Sequence, residues 1–214
     1  ILLYYYKLTY KYQVMSRNFK EAIQHRRSYY NLTNESSISD KQIEEILDFA
    51  ILHVPSAFNS QSTRLVLLLH EEHHKLWNIV KEVLKLQLSE ESYIKTEEKI
   101  NTSFDSGYGT VLFLEDRSVI THLQDSFPVY SDRFPVWSQH TNAMHQLTVW
   151  CMLEDSGMGA SLQHYNPLID EIVQRTWNLP EEWELVAQMP FGIPAKEPGK
   201  KEFNPIDTRI RIFK

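Results

Sequence analysis

The chain of 214 residues is 42% hydrophobic and 12% aromatic, with 28 acidic against 22 basic side chains and a formal net charge of −6. That composition builds a buried core and excludes a disordered chain, at a length that fits one large domain or two small ones. The acidic balance argues against general nucleic-acid binding, the apolar runs fall short of the ~18 residues of a membrane span, and the one cysteine, Cys151, excludes an internal disulfide framework and points to a reducing, cytoplasmic setting.

Residues 1–14 open with Ile1-Leu2-Leu3-Tyr4-Tyr5-Tyr6 and carry Lys7 and Lys11. They have no basic region leading an apolar one, so they make a poor signal peptide. They are expected to be an extension, either an arm or a segment upstream of a natural start at Met15, with residues 15–214 forming one domain. Residues 18–27 are predicted helical, with Phe19, Ala22 and Ile23 on one face. Ser39 with Gln42 reads as a capping box for a helix whose stripe is Ile43, Ile46, Leu47, Ala50, Ile51 and Val54. Pro55 should stop it, because proline disfavours helical geometry at the residue before it. Residues 65–69 form a continuous apolar run, as a strand covered on both faces requires. Leu76, Val80, Val83 and Leu84 mark another helix, and a polar helical or loop stretch continues to about Ser103.

Residues 110–114 read as a second buried strand. Ala143, Met144, Leu147, Trp150 and Cys151 form the broad apolar face of a long helix ending at Gly157. Residues 160–165 and 184–189 are further strand candidates. Residues 209–213 alternate with period two, as a half-exposed terminal strand should. Helices and strands interspersed without a strict βαβ cadence indicate an α+β domain, and no linker divides it.

Three constellations bear on chemistry. Arg26 continues the first helix's stripe and should point inward, where a guanidinium needs a protein carboxylate or a bound phosphate. The Ser28 hydroxyl is placed to join such a phosphate, while a basic helix C-terminus facing its dipole is the plainer reading. The segment Pro55-Ser56-Ala57-Phe58-Asn59-Ser60-Gln61-Ser62 sets amide and hydroxyl groups at a junction between core elements. Buried polar groups need partners there, and a flat heteroaromatic ring is one supplier; an ordinary polar loop is the other. His70-Glu71-Glu72-His73-His74 satisfies H-E-x-x-H, which binds zinc only when both histidines share a helical face. Here His70 ends an apolar strand run, so a solvated turn and helix start is the better account. Gly157-Met158-Gly159 does not follow a strand and reads as a helix C-cap, not a dinucleotide fingerprint. Cys151 is most simply a core residue.

Four segments in order, Arg26-Arg27-Ser28, the residues from Pro55 to Gln61, Gly159-Ala160-Ser161-Leu162-Gln163-His164-Tyr165 and Phe191-Gly192-Ile193-Pro194, resemble the FMN-dependent nitroreductase family. The resemblance runs from about Phe19 to the C-terminus. Phe58-Asn59-Ser60-Gln61-Ser62 and Leu162-Gln163-His164-Tyr165-Asn166-Pro167 look most like the subfamily typified by the yeast fatty-acid-repression-mutant protein and its bacterial relatives. The resemblance implies a nitroreductase-like α+β fold, a central mostly antiparallel sheet flanked by helices, and a homodimer with exchange of the C-terminal strand. It also implies FMN at the subunit interface. Arg26, Arg27 and Ser28 would hold the phosphate, joined by Arg209 and Arg211 from the terminal strand. Pro55, Ser56, Ala57 and Asn59 would line the flavin from the neighbouring subunit with Gln61 close by, and Gln163 and His164 would lie on its other side. The chain departs from the family at Tyr30, where Lys or Arg is frequent, and at Ser62-Thr63, where Pro-Trp is frequent.

The activity so implied is NAD(P)H oxidation, with NADPH or NADH as co-substrate, coupled to reduction of a nitroaromatic, quinone or similar small-molecule acceptor. Hydride would pass through flavin N5 in a ping-pong sequence. The cofactor carries that chemistry, so no catalytic side chain and no metal is required. Two other readings stay open: a flavin-binding redox sensor with little turnover, and a zinc hydrolase using His70 and His74.

Overall fold

The computed structural model describes residues 17–214; the expected extension 1–14 and the start at Met15 lie outside the described residues. Local chemistry sets the helix ends. Asn18 and Glu21 form a capping box for α1 (Phe19–His25), and Ser39 and Gln42 do the same for α2 (Asp40–His53). In each, a side-chain oxygen accepts from an otherwise unpaired N–H while the third residue reaches back. Helix α1 is shorter than expected, because Arg26 leaves helical geometry with ψ of 121°. After β1 (Leu32–Thr33), α2 and a single 3₁₀ turn (Ala57–Asn59), β2 (Thr63–Leu69) runs into α3 (His70–Lys85), followed by α4 (Glu90–Ser103). Then come β3 (Gly109–Asp116), α5 (Arg117–Ser126), the long α6 (Phe134–Asp155), β4 (Gly159–Ala160), α7 (Asp170–Thr176) and β5 (Trp183–Pro194). Helix α6 ends as the glycine pattern indicates. Gly157 takes φ of +82°, its N–H reaches Glu154 O, and the next N–H, of Met158, reaches Leu153 O at 2.9 Å, a complete Schellman cap.

The strands form an open antiparallel sheet in the order β1-β5-β3-β2, with β4 also paired to β5. Strand β3 is central, and all of its residues are buried. Its side chains alternate between two cores. Val111 and Phe113 pack with Ile43, Ile46 and Ala50 of α2 and with Val149 and Leu153 of α6. Leu112 and Leu114 pack with Leu76, Trp77 and Val80 of α3, Ile100 of α4 and Val173 of α7. Helices thus cover both faces, and the expected α+β architecture, an antiparallel sheet flanked by helices, is the one observed.

Three expectations need correction. Strand β2 lies at the sheet edge with Leu65, Val66 and Leu67 only partly buried, because β3 pairs it on one side alone. Residues 160–165 are not a continuous strand; after Ala160 the chain rejoins β5 through an isolated Gln163–Gln188 bridge. Residues 209–213 form no strand. They are exposed and follow a 3₁₀ turn (Ile206–Thr208), since a strand requires a ladder partner and the sheet offers this segment none within the chain.

Candidate functional site

Beyond Arg26, Ser28 makes a parallel bridge with Ala160, and the Tyr29 N–H donates to the Ala160 carbonyl at 3.0 Å. Gly159 permits this approach, since a Cβ there would lie 2.7 Å from the Tyr29 ring. Arg26 is half-buried with its guanidinium 4.3 Å from the centroid of Trp150 on α6, a cation–π contact. It takes part in none of the salt bridges among the described residues, such as Arg17–Glu154 or Arg64–Asp116.

Arg26 and Ser28 line two connected hollows. The smaller, of about 340 Å³, is completed by Ala143, Gln146, Leu147, Trp150 and Leu162. The larger, of about 580 Å³, runs past Arg27 and Tyr29 to the segment after β5, where Lys196, Lys200 and Lys201 join the arginines against the single carboxylate of Glu197. Arg27 Nη2 donates to the Gly199 carbonyl at 2.7 Å and ties that segment down. Burial first, then the charges of Glu154 and Glu197, push the Tyr29 hydroxyl up to about 12, so it stays neutral. A concavity with this excess of cations is suited to an anion, and guanidinium forks match phosphate geometry. One buried donor stands unpaired beside the smaller hollow, Trp150 Nε1 next to Arg26. A second, Gln188 Nε2, faces the other core of the sheet and belongs to an amide whose Oε1 accepts from the Tyr165 N–H at 2.8 Å. Orphaned buried donors are rare in folded proteins.

The other expected elements are placed as follows. Gln163 is half-buried, laddered to Gln188 and bonded through Nε2 to Ser161 Oγ at 3.1 Å. His164 next to it is exposed. The loop carrying Pro55, Ser56, Ala57, Asn59 and Gln61 is exposed or half-buried in the single chain, not the buried junction that its position between core elements suggested. Its backbone is strained, with φ of 58° at Phe58, 52° at Asn59 and 51° at Gln61. A bulky residue in that region is an outlier, and such strain clusters at functional sites. Ser56 Oγ accepts from the Gln61 N–H at 3.0 Å. The Phe58 ring is gripped by Phe127, Phe134 and Trp137 at centroid distances of 4.9, 5.3 and 6.2 Å. Pro55 lines a separate, largely apolar groove of about 540 Å³ with Phe19, Phe49, Met144 and Leu147. Arg209 and Arg211 are exposed and do not line the Arg26 hollows; the tail brings Lys196, Lys200 and Lys201 there instead.

The H-E-x-x-H segment is engaged internally. His70 Nε2 lies 3.0 Å from Asp40, and His74 Nδ1 lies 2.7 Å from Asp105. The group that converges is His73, His74 and Asp105. Both His73 nitrogens are used by Thr110 Oγ1 and the Asp105 carbonyl, and Lys81 occupies the other Asp105 oxygen at 3.0 Å. His70 and His74 therefore serve different carboxylates, and the zinc-hydrolase reading has no pair to rest on.

The nitroreductase family model matches residues 23–193. The chain belongs to the nitroreductase family. It is an oxidoreductase of nitroreductase type. Two proteins of Saccharomyces cerevisiae are similar to it: HBN1, 33% identical over 88% of this chain and 93% of that protein, and the nitroreductase FRM2, 29% identical over 92% and 97%. Among solved structures, the nitroreductase CinD from Lactococcus lactis in complex with nicotinic acid is 38% identical and superposes with a TM-score of 0.85, covering 92% of this chain and 100% of that one. The same protein has also been solved with chloramphenicol and with 4-nitrophenol. The match spans both the arginine segment and β5, so the family holds for the whole sheet.

Sequence reasoning missed Gln146, Trp150, Lys196, Lys200 and Lys201 in the hollows. The Lys200-Lys201 pair after Pro198-Gly199 was a visible charge signal, but charge pairs on exposed segments are common. Gln146 carried no signal, because one glutamine on a helix declares no face.

Proposed function

We propose that this nitroreductase-family protein is an FMN-dependent NAD(P)H oxidoreductase. It would reduce nitroaromatic, quinone or similar acceptors in a ping-pong sequence with NADPH or NADH as donor, acting as a homodimer. The observation that carries the proposal is the hollow at Arg26-Arg27-Ser28, where an arginine without a carboxylate partner meets Lys196, Lys200 and Lys201. The residues fit FMN: the cations suit a phosphate dianion, and unpaired Trp150 Nε1 suits the acceptor-rich remainder of the molecule.

Bound FMN would supply the hydride chemistry that relays electrons from the nicotinamide to the acceptor. In that setting Arg26, Arg27 and the Ser28 hydroxyl hold the phosphate, with Lys200 and Lys201 adding charge. Gln163 and His164 present polar groups from the segment after β4. Ser56, Asn59 and Gln61, half-buried or exposed on one chain, are contributed across the interface by the neighbouring subunit. Phe58 and its aromatic neighbours flank that loop. The dimer reading is supported by the apolar groove at Pro55, Phe49, Met144 and Leu147. The complexes of CinD with nicotinic acid and 4-nitrophenol support a nicotinamide donor and a nitroaromatic acceptor.

The test is a visible absorption spectrum of the purified protein before and after anaerobic NADPH, then NADH. A yellow spectrum that bleaches is expected, with the faster donor naming the preference. A colourless protein that takes up no FMN overturns the proposal; a coloured one that reduces no acceptor favours the sensing role. Arg26→Ala is expected to weaken FMN retention about 100-fold, the scale of one lost charge-assisted phosphate contact. Full occupancy after dialysis would remove the phosphate assignment.

A further inference from the structure

We infer that Glu115 is a positioning residue that couples the strained loop after α2 to the Arg26 hollow; its link to cofactor binding rests on the FMN reading above. Glu115 is the penultimate residue of β3 and is fully buried. A carboxylate in that position needs several donors. Its Oε2 accepts from Ser62 Oγ at 2.6 Å, and its Oε1 accepts from Thr63 Oγ1 at 2.6 Å and Asn142 Nδ2 at 2.9 Å. None of these donors is a cation, and the charge of Glu115 is also felt by the buried His145 of α6.

The two sides of this network lead to different places. Ser62 and Thr63 follow Gln61 directly and are themselves buried. Asn142 lies on α6, and its Oδ1 accepts from Gln146 Nε2 at 2.7 Å. Gln146 lines the hollow with Arg26, Ser28 and Trp150. A continuous chain of hydrogen bonds therefore runs from that hollow through Gln146, Asn142 and Glu115 to the loop's exit. The next residue reinforces the grip from outside. Asp116 binds Arg64 Nη2 at 2.9 Å, and Arg64 Nη1 donates to the Gln61 carbonyl at 2.7 Å. The Asp116 N–H also donates to the Ser62 carbonyl at 2.9 Å. Consecutive acidic residues thus clamp the end of a loop whose φ angles at Phe58, Asn59 and Gln61 it would not keep unaided.

The position also accounts for the buried face of α6. Thr141, Asn142, His145 and Gln146 are buried there, where a purely packing role would favour apolar side chains. A buried polar network kept at that cost specifies one geometry. The geometry specified here is that of the loop relative to the hollow.

The experiment compares Glu115→Gln with Val173→Ala, which lies in the other core. Both are brought to a matched loss of stability by choice of urea concentration. The readouts are amide exchange over residues 56–63 by mass spectrometry, FMN dissociation constants by fluorescence quenching, and the split between kcat and donor KM. Glu115→Gln is expected to speed exchange in the loop about tenfold and weaken FMN about tenfold, as one displaced buried hydrogen bond does, while Val173→Ala moves neither. Equal exchange and FMN affinity in the two variants overturns the inference. Should Glu115→Gln fail to fold, Ser62→Ala removes one donor only. Faster loop exchange with Ser62→Ala supports the coupling, and no change overturns it. If the wild-type chain binds no FMN, the exchange comparison alone decides the coupling, and the failure then belongs to the FMN reading.

Discussion

The helix layers on the two faces of the sheet differ in what they show to solvent. On one face, α3 and α4 bury Leu76, Trp77, Val80 and Ile100 and show mainly charge outward, with Lys75–Glu72 and Lys95–Glu91 pairs on the surface and Leu86 and Ile94 as exposed apolar exceptions. On the other, α2 and α6 bury Ile43, Ile46, Ala50, Val149 and Leu153, yet their outer side leaves Phe49 48%, Leu52 75%, Met144 40% and Leu147 43% exposed. A charged outer surface closes a molecule, whereas clustered apolar groups mark a surface meant to be covered. The smaller hollow and the Pro55 groove are lined from α6, on that uncovered side. In the reading proposed above, the finished layer supplies stability and the unfinished one supplies the site.

That contrast can be broken at several points. Trp77→Ala, in the charged layer, is expected to cost about 3–5 kcal/mol of unfolding free energy in a urea titration. The effect should be the same at all protein concentrations, because the proposed interface lies on the other layer. Met144→Asp with Leu147→Asp should instead leave the single chain folded and weaken self-association about 100-fold. Sedimentation equilibrium measures this, and a wild-type chain that stays monomeric at high concentration refutes the interface.

Smaller effects come from titration in the charged layer. Burial holds the His73 imidazole down at about 4 against an ordinary 6.5. Its folded form therefore prefers the neutral ring, and stability present above pH 6.5 should be lost by about 2 kcal/mol as pH falls toward 4. His73→Gln should flatten that part of the profile. Asp170 acts with the opposite sign. Burial, then the charge of Glu184, raises its carboxyl to about 6 from 3.8, and its Oδ1 has no partner. The protonated form is favoured on folding, so its contribution is present below pH 3.8 and lost as pH rises through 6. Asp170→Asn should gain about 1 kcal/mol above pH 6, after discounting for partial exposure, and little below pH 4. A urea titration repeated across pH separates the two.

Much of the fold was legible because its signals are local. Ser39 and Gln42 name their own helix start, Pro55 its stop, and the apolar run in β3 its burial on both faces. Arg26 was legible as a cation in need of an anion, and its motif neighbours made the family recognisable. Long-range partners were not. Lys200 and Lys201 reach the arginines only because Arg27 anchors the Gly199 carbonyl. Glu115 reads as the charged end of a strand, and nothing near it in the chain announces Ser62, Thr63 and Asn142 as its donors.

The sequence alone determined where most helices begin and end, that the sheet's centre is apolar, and that an arginine segment precedes it. Those properties depend on residues within one or two turns of each other. The tertiary structure decided which face of α6 turns inward. Apolar residues surround that helix, so its periodicity chose Met144 and Leu147 as core, whereas in the fold Asn142 turns inward to Glu115 and Met144 and Leu147 face out. It also decided that residues 209–213 form no strand here, since alternation describes a strand's faces and only a neighbouring ladder supplies its hydrogen bonds.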